Sequence, residues 1–227
     1  MCGRYVAKLQ AAQLAEWDLI RNVPEFESYN VAPTQSVPVV RHMPEGNVVD
    51  LVHWGLIPFW AKGVPPKYST INATVEKIQD GATWRGPWKR GQRCALLANG
   101  FYEWQVLEDG KTKQPYYIHL NDQELFGFAG LWDSSTREDG IVVQSCTIVT
   151  LPASPFMARI HNARQRMPAI LAKEDRKAWL EGSAEEAFSV LRPYPDEHLV
   201  AWPVSTRVNT PRNNVADLVK PLKEGKG

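Results

Sequence analysis

The sequence predicts an α+β fold: a single domain built on a mainly antiparallel, curved or barrel-like sheet, with a few peripheral helices. Three observations predict it. The apolar runs are short, rich in β-branched or aromatic residues, and bounded by Gly, Pro, Asn or Asp, as strands are. About seven such runs follow one another with few helices between them, so they do not alternate as βαβ units would. The 227 residues, 44% hydrophobic and 22% charged, are enough to bury a core without staples. No repeat, low-complexity linker or compositional break divides the chain. Residues 2–220 therefore read as one domain and 221–227, within "KPLKEGKG", as a flexible tail.

Taken in order, residues 8–21, "KLQAAQLAEWDLIR", suggest a first helix, with Leu9, Ala12 and Trp17 tracing a rough stripe near Leu14. "YNVAPTQSVPVV" turns into a strand near Val37–Val40. A second strand runs from Val48 to about Trp54 and ends in an aromatic loop. Further strand-like runs lie at 93–98, 115–120, 125–132, 141–150 and 167–171. Helices are expected at 173–181 and 184–191. Ser183 and Glu186 form a capping box for the second.

Composition excludes several function classes. Lys and Arg total 26 against 25 Asp and Glu, which argues against a broad nucleic-acid-coating surface but leaves room for a local basic groove. The three cysteines are an odd number and contain no CxxC pair, so neither a disulfide framework nor a zinc site is indicated. Cys94 and Cys146 sit in apolar strand-like runs and read as buried, reduced thiols. His42, His53, His119 and His198 have no metal-ligand spacing and read as structural. We expect no metal and no cofactor. Without a signal-like segment or an apolar run near ~20 residues, the expectation is a cytoplasmic protein with no membrane partner. It is expected to act as a monomer.

The chemistry begins at "MCGRY". Removal of Met1 would leave Cys2 with an α-amine and a thiol on adjacent carbons, with ordinary pKa values of roughly 8 and 8.5. Both would be partly deprotonated near neutral pH and open to activation. A 1,2-aminothiol condenses with an aldehyde to an imine, and the thiol then closes a five-membered thiazolidine. An interior cysteine cannot do this. Gly3 permits close approach, and Arg4 offers a bidentate donor for phosphate or carboxylate. The plainer alternative is a second residue that happens to be Cys and folds into a strand.

In "ANGFYEW", Glu103 lies among Phe101, Tyr102 and Trp104, where desolvation would raise its pKa toward acid–base use. Alternation alone would equally place it on a wet strand face. In "RIHNARQRMPAIL", His161 is a proton shuttle with Arg164 and Arg166 beside it to hold an anion, or else a loop histidine with surface arginines. In "TWRGPWKRGQR", Trp84 and Trp88 alternate with Arg85, Lys89, Arg90 and Arg93. Stacking faces beside cations suit single-stranded nucleic acid, and Phe59 and Trp60 offer a second stacking pair. Tryptophans plugging the edge of the core are the competing reading.

"MCGRY", "YNVAPTQ" (29–35), "HWGLIPFW" (53–60), "INATVE" (71–76), "NGFYEW" (99–104), "IHNARQRMPAIL" (160–171) and "PVSTRVN" (203–209) occur in the order of one family. The chain resembles the SRAP family, the SOS-response-associated peptidases or abasic-site processing proteins, from residue 2 to about 209. The resemblance implies binding to abasic sites in single-stranded DNA. It implies a thiazolidine crosslink from the mature N-terminal cysteine, self-removal of Met1 and abasic-site lyase character. It places the nucleophile at Cys2, an asparagine at Asn72, an acid at Glu103 and a histidine at His161. Thr74 stands where the family usually has Arg, so a phosphate contact there is missing or supplied elsewhere. The loop after His161 is longer than in the family's "IHDRMP", and Arg166, directly before Met167 and Pro168, best fits the family arginine. The DNA-contacting set implied is Arg4, Phe59, Trp60, Thr74, Trp84, Arg85 and Arg166. An N-terminal-nucleophile amide hydrolase and a non-catalytic single-strand-binding module are the alternative functions.

Overall fold

The computed structural model describes residues 2–20 and 23–222. Met1, the last residue of the expected first helix and the end of the tail lie outside them. Strand β1 (Tyr5–Lys8) leads into a single helical turn, α1 (Ala11–Leu14), extended by a 3₁₀ turn over Ala15–Trp17. The helix expected over 8–21 is therefore much shorter. Lys8 belongs to β1, no side chain caps α1, and Asp18 in the left-handed region (φ 50°) ends the turn. The weak stripe buries only Leu14 and Trp17.

Strands β2 (Glu27–Val31), β3 (Ser36–Met43) and β4 (Gly46–Trp54) follow, the last two as a hairpin. Then come the short β5 (Asn72–Thr74), α2 (Arg85–Lys89), β6 (Arg93–Ala98) and β7 (Gly100–Val106). Next are β8 (Lys113–Leu120), β9 (Phe126–Thr136), β10 (Val142–Pro152) and α3 (Pro155–Ile160). The chain ends with β11 (Arg166–Pro168), β12 (Ile170–Leu171), α4 (Arg176–Glu181), α5 (Ala184–Ser189) and β13 (Leu199–Pro203). The apolar run 167–171 is split at Ala169, whose N–H donates to Val149 while its carbonyl accepts from Ala129, so it hands the chain from β10 to β9. The Ser183–Glu186 capping box forms with both hydrogen bonds.

Two sheets result. One has the order β13-β8-β7-β1-β2. In the other, β10-β4-β3-β6-β9 closes on itself because β9 also pairs with β10, giving a five-stranded barrel that carries β5, β11 and β12 on its margins. Among the named strands the pairings of β10 with β4 and with β5 are parallel and the others antiparallel. The α+β, barrel-containing, mainly antiparallel architecture is the one the apolar runs predict. The chain passes from barrel to open sheet at Asn99, whose Oδ1 accepts from the Lys8 N–H at 2.6 Å and whose Nδ2 donates to Glu124 O at 2.8 Å. Gly100 must follow, because a Cβ there would lie 2.4 Å from the Tyr117 hydroxyl.

Tyr5, Trp54 and Phe128 meet edge to face in the core, with centroids 5.2 and 5.8 Å from Tyr5. Cys94 and Cys146 are buried free thiols. At the C-terminal end, the Leu222 N–H donates to Pro203 O at 2.9 Å, so the chain is held two residues into the segment expected to be flexible. Among the described residues no helix is long and apolar enough to cross a membrane.

Candidate active site at the amino terminus

Strand β1 places the amino terminus. Its Tyr5, Val6 and Ala7 are buried, which fixes its register against β7: Tyr5 pairs with Phe101 and Val6 with Gly100. The Tyr102 N–H donates to Arg4 O at 2.9 Å, and the same register continued brings Gly3 opposite Glu103. Cys2 is fully buried. Its carbonyl accepts from Asn72 Nδ2 at 3.0 Å, an asparagine brought there by β5 running parallel to β10 (Asn72 opposite Ile148). Asn72 Oδ1 is buried and accepts no hydrogen bond from any described residue, so its acceptor capacity is left over.

Glu103 is 2% exposed, because Phe101, Tyr102 and Glu103 are all covered and β7 has no wet face at this point. The wet-face alternative is thereby excluded. Burial pushes the Glu103 carboxyl up to about 7. Helix α3, capped by Ser154 accepting from the Met157 N–H at 3.3 Å, ends at His161. His161 Nδ1 lies 2.7 Å from Arg166 O. A carbonyl only accepts, so Nδ1 carries the proton in the neutral ring and Nε2 presents its lone pair, 3.7 Å from Glu103 Oε2. Burial lowers the His161 pKa and keeps the ring neutral.

The thiol departs from expectation. Burial, and next the charge of Glu103, push the Cys2 thiol far above its ordinary value, so at rest it is SH rather than thiolate. Its Sγ lies 3.8 Å from Arg4 O. Outside these groups opens a cleft of about 480 Å³, lined by Ile71, Glu103, Trp104, His161, Arg164 and Asn209 among others. Asn209 fastens Trp104 of the lining, its Oδ1 accepting from Trp104 Nε1 at 2.9 Å, and its carbonyl accepts from Arg4 Nη2 at 3.3 Å. Asn30 anchors that segment by donating from Nδ2 to the carbonyls of Val208, Thr210 and Asn213. Sequence reasoning missed Asn209 as a site residue; its one signal was the string "PVSTRVN".

The model of the family described as SOS response associated peptidase (SRAP) matches residues 1–211. The chain belongs to the SRAP family. Abasic site processing protein YoaM of Bacillus subtilis is 38% identical over 226 residues, covering 96% of this chain and 97% of that one. Abasic site processing protein HMCES of Gallus gallus is 32% identical, covering 99% of this chain and 79% of the relative. A crystal structure of a protein from Bacteroides thetaiotaomicron superposes with a TM-score of 0.81 at 24% identity, covering 96% of this chain and all of that one, a likeness of fold.

Within this SRAP chain the expected DNA-contacting residues divide. Phe59 and Trp60, in a 3₁₀ turn, are 56% and 51% exposed, with the Arg90 guanidinium 5.0 Å from the Phe59 ring. Arg85 is exposed on α2. Trp84 is not available for stacking: it is 8% exposed and packed into the core, as are Trp88 and Arg93 of the same basic-aromatic stretch. The alternation of Trp with Arg there is the rhythm of an element that turns one face inward. Arg166 is bound internally, bidentate to Glu76 at 2.7 and 3.0 Å and to Thr150 O at 2.7 Å. Thr150 is the register partner of Thr74, so Arg166 brings its guanidinium to the neighbourhood where SRAP chains usually carry Arg in place of Thr74. Arg164, in the lengthened loop, lines the cleft instead.

Proposed function

We propose that this chain processes abasic sites in single-stranded DNA, joining its N-terminal Cys2 covalently to the lesion as a thiazolidine. The observation that carries this reading is that Cys2, held through its carbonyl by Asn72, lies buried behind a cleft lined by Glu103 and His161, with the thiol neutral beside a carboxyl poised near 7. The names of the YoaM and HMCES relatives support the choice of lesion.

Met1 is first removed, which frees the α-amine of Cys2. The abasic sugar rests mainly as a closed hemiacetal. His161 Nε2 takes the proton of its 1′-hydroxyl and returns it to O4′ as the C1′–O4′ bond breaks, exposing the C1′ aldehyde. Asn72 Oδ1 accepts a hydrogen bond from a sugar hydroxyl. The Cys2 amine adds to C1′ and passes one proton to the carbonyl oxygen; protonated Glu103 then gives its proton to the departing hydroxyl, so water leaves and the protonated imine forms. Glu103, now a carboxylate, takes the thiol proton. Sulfur bonds to C1′ as the C=N electron pair returns to nitrogen, which leaves a neutral ring N–H and Glu103 protonated again. The net change is loss of one water. An imine that fails to close is activated for β-elimination: a base removes a C2′ proton and the 3′-phosphate leaves, which accounts for lyase character. Phe59 and Trp60 supply stacking surfaces for the flanking strand.

The test is incubation with a single-stranded oligonucleotide carrying one abasic site, followed by a denaturing gel and intact mass. Wild type gives an adduct of protein lacking Met1 plus DNA minus one water. Cys2→Ala gives no stable adduct, only an imine that can be trapped by borohydride. Equal stable crosslinking by Cys2→Ala would refute the mechanism, and retained Met1 in the crosslinked species would refute the role of the α-amine.

A further inference from the structure

We infer that Lys113 and Arg164 form an anion subsite that reads the phosphate ester attached to the reacting sugar. The cleft then selects phosphorylated deoxysugar aldehydes over unphosphorylated ones. This deepens the thiazolidine reading and rests on it. Both side chains line the cleft that holds Glu103 and His161, both are exposed, and neither forms an ion pair with any described residue. Their neighbours differ. Arg166 is taken up by Glu76, and Arg4 donates to Asn209 O.

The lengthened loop is built to present Arg164. His161 O accepts from the Gln165 N–H at 2.8 Å, closing one turn around residues 162–164. Gln165 then adopts φ 49° and its carbonyl accepts from the Ala153 N–H at 2.9 Å, which returns the chain to β11. Asn162 anchors the other side. Its Oδ1 accepts from the Val106 N–H at 3.0 Å and its Nδ2 donates to Val106 O at 2.8 Å. Val106 is the register partner of Lys113 across β7 and β8. The residue that fastens the loop is thus the one that faces Lys113 across the hairpin, and the two cations are brought to one cleft by a single clamp. Arg164 is also near enough to Glu103 and His161 for its charge to act on both. A sugar whose C1′ meets Cys2 at that end has its phosphate ester left to these cations, the chemistry they pair with best. A free sugar phosphate and the phosphodiester of a strand offer the same group.

The experiment compares 2-deoxyribose 5-phosphate with 2-deoxyribose as reagents for Cys2, following intact mass over time at low salt. Wild type should favour the phosphorylated sugar by about tenfold, as two partly exposed charge pairs allow. In Lys113→Gln with Arg164→Gln the ratio should fall to about one, and Arg164→Lys should keep most of it. Thermal unfolding checks that the variants fold. In parallel, the salt dependence of crosslinking to abasic single strands should flatten by about 0.7 in log–log slope per charge removed. A change in both arms assigns the subsite to strand phosphates and free sugar phosphates alike; a change in the sugar ratio alone assigns it to the free sugar phosphate. A ratio that survives loss of both charges overturns the inference, as does equal reaction of wild type with both sugars. Failure of wild type to crosslink abasic DNA at all overturns instead the thiazolidine reading beneath it.

Discussion

Replacing Glu103 by Gln should make the protein more stable and less active, with both effects tied to pH. An ordinary glutamate titrates at about 4.3. Burial raises Glu103 to about 7, so the folded state holds its proton over a range in which the unfolded chain has lost it. Stability contributed by the neutral carboxyl is therefore full below about 4.3, falls as pH rises toward 7, and is gone above it. The shift corresponds to about 3 kcal/mol at pH 8. Glu103→Gln is neutral throughout. It should match wild type near pH 4 and exceed it by about 3 kcal/mol at pH 8, or about 6–12 °C in Tm for a domain of this size. Crosslinking to abasic DNA should fall by at least ~100-fold, the usual contribution of a positioned acid–base. Urea unfolding at pH 4, 6 and 8 measures the first effect, and crosslinking rates over the same range the second. A stability difference that does not grow with pH, or a Gln variant less stable than wild type at pH 8, would show that Glu103 is not held neutral by burial.

Trp84→Ala should cost about 3–5 kcal/mol of stability by opening a core cavity, and leave the affinity of the folded protein for intact single strands within about twofold. Calorimetry and fluorescence anisotropy test this, and a loss of affinity at unchanged stability would return Trp84 to the DNA surface. Phe59→Ala and Trp60→Ala should behave oppositely, weakening single-strand binding by about 1–3 kcal/mol each while moving stability by no more than about 0.5 kcal/mol. Stability losses of core size in these two would refute their role as an exposed stacking pair.

The reactive possibilities were written in residue types. Only an N-terminal 1,2-aminothiol can form a thiazolidine, and "MCGRY" carries one once Met1 is gone. The strand pattern follows from short-range chemistry, because apolar alternation acts within a few residues, whereas the Asn99–Gly100 break is fixed by distant partners, Tyr117 against Gly100 and Lys8 and Glu124 on Asn99. Family strings placed Asn72, Glu103 and His161 in the account. What those residues experience was decided by tertiary structure. Alternation alone left Glu103 wet or dry, and the packing of both faces of β7 made it dry. The resting state of the Cys2 thiol reversed for the same reason, since its surroundings come from β5 and β7 rather than from adjacent residues alone. Charge patterning could not show that Arg166 is claimed by Glu76, ninety positions away, while Arg164 is left to the cleft. Nor could it show that the tryptophan of a basic stretch turns inward. Sequence fixes which groups exist and their local geometry. Burial, pairing and pKa arise from contacts between distant segments, and in this protein those contacts determine which group carries the proton.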